Sequence, residues 1–181
     1  MSETCSLVIV VVEDDHHKML VYRYLVHCGL KRHAIRIERS PSGRGSAENW
    51  VQKRFVKEVS EYRSRHAQTA LIVVIDADTG SVQDRLTQLD QALTQSGKDT
   101  IDPHREQIAR LAPKRNIETW ILCLNGQTVD EHTDYKNRTD WRGLITDAAN
   151  ALFQWTQRSQ LLDHCVDSLR SGITELKRLS L

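Results

Sequence analysis

The 181-residue chain carries 25 Lys+Arg against 24 Asp+Glu, and 39% of its residues are hydrophobic. That length suits one domain able to bury a real core, and a charged fraction of 27% with four Trp, four Tyr and two Phe excludes a disordered chain. The apolar run Leu7 to Val12 is six residues, far short of the roughly 20 needed for a membrane-spanning helix. Glu3, with no basic residue before that run, speaks against a signal peptide. Cys5, Cys28, Cys123 and Cys165 are scattered with no CxxC pair, so four free thiols and a reducing cytoplasm are expected.

The elements follow in order. Leu7 to Val12 (LVIVVV) is β-branched and continuous, which predicts a buried strand of a parallel sheet ending at Glu13-Asp14-Asp15. Leu20, Val21, Tyr24, Leu25 and Cys28 have helical spacing, and Gly29 stops that helix. A second strand is expected over 34–38, then a Ser-Pro-Ser-Gly-Arg-Gly loop at 40–45. Ser46 is placed to cap a helix with Val51, Phe55, Val59 and Tyr62 inward. The next strand, 70–75, ends at Asp76-Ala-Asp78. Ser81 and Asp84 open another helix in capping-box fashion. A short strand is expected over 107–111, and Asn116 and Gly126 bound a helix over 117–124. Two further helices, about 140–157 and 159–179, are predicted to close the chain, the second with Leu162, Val166, Leu169, Ile173 and Leu176 inward.

Strands alternating with helices predict a single α/β domain with a mostly parallel central sheet flanked by helices. Residues 1–126 would form its core, and 127–181 a helical extension packed on it. Charge is unevenly spread. Residues 31–66 carry ten basic and four acidic groups, while the flanking stretches are net negative. Such a block either faces a polyanion or is a solvated helix face partly neutralised by Glu48, Glu58 and Glu61.

Functional groups of open α/β sheets gather beyond the C-terminal ends of the strands. Glu13 and the pair Asp76 and Asp78 fall there. In extended chain, residues two apart point the same way, and carboxylates crowded together are relieved by a hard divalent cation. His16 and His17 lack the i, i+4 spacing of a helical zinc pair and read as polar residues at a helix start, with a proton relay as the alternative. The four tryptophans read as core or interface anchors.

The order Glu13, then Asp76-Ala-Asp78, then Pro113-Lys-Arg-Asn-Ile-Glu-Thr-Trp120 resembles the Toprim fold of topoisomerases, primases and overcoming-lysogenisation-defect nucleases. It is similar above all to small stand-alone Toprim-like proteins encoded beside ATPases in bacterial and phage-defence loci. The resemblance covers roughly residues 7 to 125. It implies a Mg2+- or Mn2+-dependent nuclease acting on DNA or RNA, with Glu13, Asp76, Asp78 and Glu118 as metal ligands and catalytic residues. Arg44, Lys53, Lys57, Lys114 and Arg115 would meet phosphates. It also implies an effector role in an anti-phage or mobile-element system and an ABC-type ATPase partner; no membrane is called for, and a homodimer through the C-terminal helices is compatible. Asp14 stands where that family has Gly, and His17 where an acid often follows. A catalytically silent subunit that binds nucleic acid or an ATPase is the alternative. The opening Val10 to Asp15 also resembles a response-regulator receiver domain, in which Asp14, Asp15 and Asp76 would be the acids.

Overall fold

The computed structural model describes residues 5–42, 45–160 and 163–181. Strands β1 (Leu7–Val12), β2 (Ile35–Arg39), β3 (Thr69–Val74) and β4 (Ile108–Leu111) form one all-parallel sheet in the order β2-β1-β3-β4. Helix α1 (Asp15–His27) links β1 to β2, α2 (Ala47–Ser64) links β2 to β3, and α3 (Val82–Gln95) links β3 to β4. After β4 come α4 (Ile117–Leu124), α5 (Trp141–Thr156) and α6 (Asp167–Lys177).

Strand periodicity sorts the core into two layers. Val8, Val10 and Val12 of β1, with Ala70, Ile72 and Val74 of β3, pack on one face with α1, α4, α5 and α6. The intervening Ile9, Val11, Leu71 and Val73 meet Val51, Phe55 and Val59 of α2 and Leu89 and Leu93 of α3. β1 and β3 are buried on both faces, which is why they read as unbroken apolar runs. The C-terminal helices share a single apolar layer with α1 and α4.

Most element expectations are met within a residue or two. Ser46 accepts from the Asn49 amide and Ser81 from the Asp84 amide, as N-caps should. The last helix is the exception. It starts at Asp167, not 159, with Val166 in extended conformation as its N-cap, so Val166 lies outside it, and Leu162 lies outside the described residues. The Asn116 side chain caps no backbone amide of α4 but accepts from the Thr119 hydroxyl at 3.4 Å; its own amide donates to Asp134 Oδ1 at 3.0 Å and ties the 127–139 loop to the helix start.

Docking of α6 rests on two features. A Cβ on Gly172 would lie 2.3 Å from Cη2 of Trp120, so only glycine admits that ring, whose Nε1 donates to Ser168 Oγ at 2.7 Å. The free side of β4 is covered by side chains of the same helix region. The Arg110 amide donates to Glu175 Oε2 at 3.3 Å, and Arg178 Nη2 donates to the Ile108 carbonyl at 2.7 Å. Trp120, Trp141 and Trp155 are buried, as the core reading expects. Cys5, Cys28, Cys123 and Cys165 are free, three of them buried. No helix among the described residues is long and apolar enough to cross a membrane.

Candidate metal centre

The sheet order fixes where a site can form. The chain leaves β1 toward β2 on one side and leaves β3 toward β4 on the other, so a crevice opens between the C-terminal ends of β1 and β3. Val12 and Val74 are paired across that seam. Glu13 follows the first and Asp76 lies two residues beyond the second. The Asp76 amide donates to Glu13 Oε2 at 3.4 Å. Asp76 keeps the phase of Ala70, Ile72 and Val74, which puts it on the α1 side.

There it meets a residue that sequence reasoning set aside. His17 is fully buried, and its Nε2 lies 2.9 Å from Asp76 Oδ1 while its Nδ1 lies 2.7 Å from Asp14 Oδ1. The same Asp14 oxygen accepts from the amides of His16 and His17 and so caps α1. Glu13, His17 and Asp76 bring one ligand atom each within 4.8 Å of the others. The legible signal for His17 was its place three residues after an N-cap Asp, where a capping-box partner reaches back. On a helix beginning at the end of β1, that position faces the neighbouring strand end.

The next ring holds Glu118 and His16. Glu118, in the first turn of α4, is 1% exposed. His16 Nδ1 lies 2.6 Å from its Oε1, while Oε2 is buried with no hydrogen-bond partner. The half-exposed His16 ring tilts against Trp141 at 5.4 Å.

Electrostatics follow from this crowding. Burial first, then the Asp76 charge, pushes the Glu13 carboxyl up to about 7, with His17 opposing. Asp76 is raised chiefly by burial, against the pull of His17. Burial disfavours charge on His17, but Asp76 and Asp14 outweigh it and hold the imidazole well above its ordinary value. Burial would raise Asp14, yet its hydrogen bonds and charge contact with His17 lower it. His16 is raised by its bond to Glu118 against some burial. These five groups act on one another through charge and hydrogen bonds around the buried carboxylates of Asp76 and Glu118.

Other expected site residues lie differently. Asp78 does not point with Asp76. It takes φ +50°, bridges to Arg115 (φ +69°), and turns an exposed carboxylate toward Arg85 on α3 at 3.6 Å. The extended geometry assumed for Asp76 and Asp78 ends because the chain has already left β3 at Val74. Asp78 still raises the Glu13 carboxyl from a distance. Lys114 donates to the Gly80 carbonyl, and Arg115 pairs with Asp134 at 3.3 Å. Lys53 and Lys57 lie exposed on α2, a helix packed on the opposite face of the sheet from α1. Arg44 lies outside the described residues.

The basic block is largely neutralised. Arg36, Arg54 and Arg65 surround Glu58, Arg39 pairs with Asp15, Lys57 with Glu61 and Arg63 with Glu106. Lys136, from the 127–139 loop, feels the acids of the crevice. Burial disfavours its charge, but Asp76, Glu118 and Asp14 together raise its pKa. It lines a cleft of about 360 Å³ with Asp14, Asp15, His16, Arg39, Ser42 and Glu118. A cavity of about 470 Å³ lies by Tyr62, Thr69 and Gln107 at the opposite ends of the strands and is remote from this chemistry.

The donor set bears on a metal directly. Glu13, Asp76 and the orphaned Glu118 oxygen are hard ligands suited to Mg2+ or Mn2+, and both His17 nitrogens are already engaged by carboxylates. Within the cluster only Glu13 and Asp76 offer oxygens of the kind a hard cation prefers, and His17 lies against Asp76 Oδ1. No protein-family model matches this chain, and searches of curated proteins and of solved structures return no match.

Proposed function

We propose that this chain is a divalent-metal-dependent phosphodiesterase acting on nucleic acid, with its centre at the β1–β3 crevice. The observation that carries the reading is the cluster of Glu13, His17 and Asp76, one ligand atom each within 4.8 Å of the others, beside a buried Glu118 whose charge acts on Asp76 and one of whose oxygens is unpartnered. Burying several acids with so little compensation is costly unless a cation balances them. Glu13, Asp76 and Glu118 would hold Mg2+ or Mn2+, which supplies charge neutralisation at the phosphate and an activated water. Asp78 adds a smaller negative influence on Glu13.

The chain's own groups prepare the rest. Glu13 would serve as a ligand or, off the metal, as the base that takes a proton from water, a role its raised carboxyl in the metal-free chain suits. His17 stays protonated between Asp14 and Asp76 and fixes the Asp76 carboxylate. Glu118 holds the His16 ring at the cleft wall. Lys136 and Arg39 line the cleft an anionic substrate would enter. The Toprim-like reading, an anti-phage or mobile-element setting and an ATPase partner rest on the sequence resemblance alone.

A silent binding subunit is the second reading, favoured by the engagement of Asp76 Oδ1 and Asp14 Oδ1 by a buried imidazole. The deciding experiment incubates supercoiled plasmid, single-stranded DNA and total tRNA with Mg2+, Mn2+ or EDTA. Metal-dependent cutting that is lost in Asp76→Ala and Glu13→Ala is the expected result. No cutting, together with no metal binding by calorimetry, leaves the silent subunit.

A further inference from the structure

The reacting carboxylates are sunk. Asp76 is 2% and Glu118 1% exposed, and Glu118 is reached from the cleft that Lys136 also lines. A second cleft of about 440 Å³, lined by His16, Met19, Arg23, Trp141, Arg142 and Ile145, shares His16 with the first. The two therefore meet at the His16 ring and run on between α1 and α5.

Charge along this path is distinctive. Arg23 and Arg142 have no ion-pair partner among the described residues; Arg23 only donates weakly to the Arg142 carbonyl at 3.4 Å. No carboxylate lines that second cleft. Arg36, Arg54 and Arg65 are by contrast consumed by Glu38, Glu58 and Glu61. Trp141 adds a buried indole N–H without a partner at the same wall.

We propose that the α1–α5 groove is the track of a single-stranded nucleic acid, with Arg23 and Arg142 gripping phosphates on one side of His16, and Lys136 on the other. This rests on the phosphodiesterase reading and names its substrate class. A duplex is a stiff rod whose phosphates stand on its outside, so it cannot carry one down to groups this deeply buried. A single strand bends into a narrow cleft and offers its backbone to unpaired cations.

The test is fluorescence anisotropy with a labelled oligothymidylate, its RNA counterpart and a duplex of equal length, in EDTA so that nothing is cut. Single strands should bind at least about tenfold more tightly than duplex. The Arg23→Ala/Arg142→Ala double variant should weaken that binding about tenfold and flatten the log–log salt slope by about 1.4, two contacts at 0.7 each. Arg23→Lys/Arg142→Lys should restore most of it, which a folding defect would not allow. Preference for duplex, or loss of binding in Lys53→Ala/Lys57→Ala with the groove variants unaffected, overturns the track. Expected binding without cutting in any metal removes the phosphodiesterase reading and keeps the groove. Metal-dependent cutting of duplex in preference to single strands does the reverse.

Discussion

Two buried carboxylates, one on each side of the sheet, are solvated in opposite ways. Glu58 on α2 is fully buried and receives Arg36 at 2.5 Å and Arg54 at 3.0 Å, with Arg65 at 3.7 Å. Asp76 is almost as buried, but its one ion pair among the described residues is with His17, and Glu118, Glu13 and Asp14 add negative charge around it. The first arrangement is complete within the chain. The second leaves charge uncompensated and an oxygen of Glu118 without a partner, a cost that structure alone has no reason to retain.

This contrast breaks down if the two acids respond alike to removal. Asp76→Ala should lower metal-dependent cleavage by about a thousandfold, the size of several kcal/mol of charge stabilisation, while leaving a cooperative unfolding transition. Glu58→Ala should leave the centre's metal affinity intact by calorimetry and lower unfolding free energy in urea by about 2–4 kcal/mol. That is at or below the range for a fully buried pair, because the guanidinium groups left behind are partly exposed.

Proton linkage sharpens it further. Glu13 binds its proton more tightly folded, near 7, than unfolded, so the folded state holds more protons between about pH 4.5 and 7. Stability of the metal-free chain should therefore fall by roughly 2–3 kcal/mol as pH rises through that window. The raised His17 adds stability that is present below its unfolded value and lost only as pH climbs past its folded one. In Glu13→Gln the first part of the decline should vanish and the second persist, as followed by denaturant melts at several pH values. Saturating Mn2+ at a hundred times its dissociation constant should return about 2.7 kcal/mol at pH 8, and less at pH 5.5, where Glu13 holds its proton. At the other extreme, Lys57→Ala touches an exposed i, i+4 pair with Glu61 at 3.8 Å and should shift stability by no more than about 0.5 kcal/mol.

The fold was legible because its signals are local. The runs at β1 and β3 are apolar and β-branched, and Ser46, Ser81 and the glycines mark helix ends. The strand-end acids were legible for the same reason, since Glu13 and Asp76 need only the strand boundaries to be placed. What depended on tertiary contact was not. His17 looked like a polar helix-start residue because nothing near it in sequence shows that α1 lies over the end of β3. Asp78 was misaimed because the left-handed turn at φ +50° follows from its bridge to Arg115, 37 residues on. Lys136 lies in a loop without periodicity, and only the fold brings it over Asp76 and Glu118. The basic block of 31–66 was counted correctly, but its partners Glu38, Glu58 and Glu61 come together only when β2 packs against α2.

The cover that Glu175 and Arg178 place over β4 reaches beyond the docking of α6. A four-residue strand paired on one side only presents N–H and C=O groups that any passing extended chain can join, the route by which sheets from different molecules fuse. Here those groups are answered by side chains that arrive last in the sequence. A polypeptide still emerging from the ribosome, or one cut before residue 167, would carry the apolar residues of β4 beside an open template. Such truncated chains should aggregate through that strand, so the closing helix serves as the chain's own guard against polymerisation.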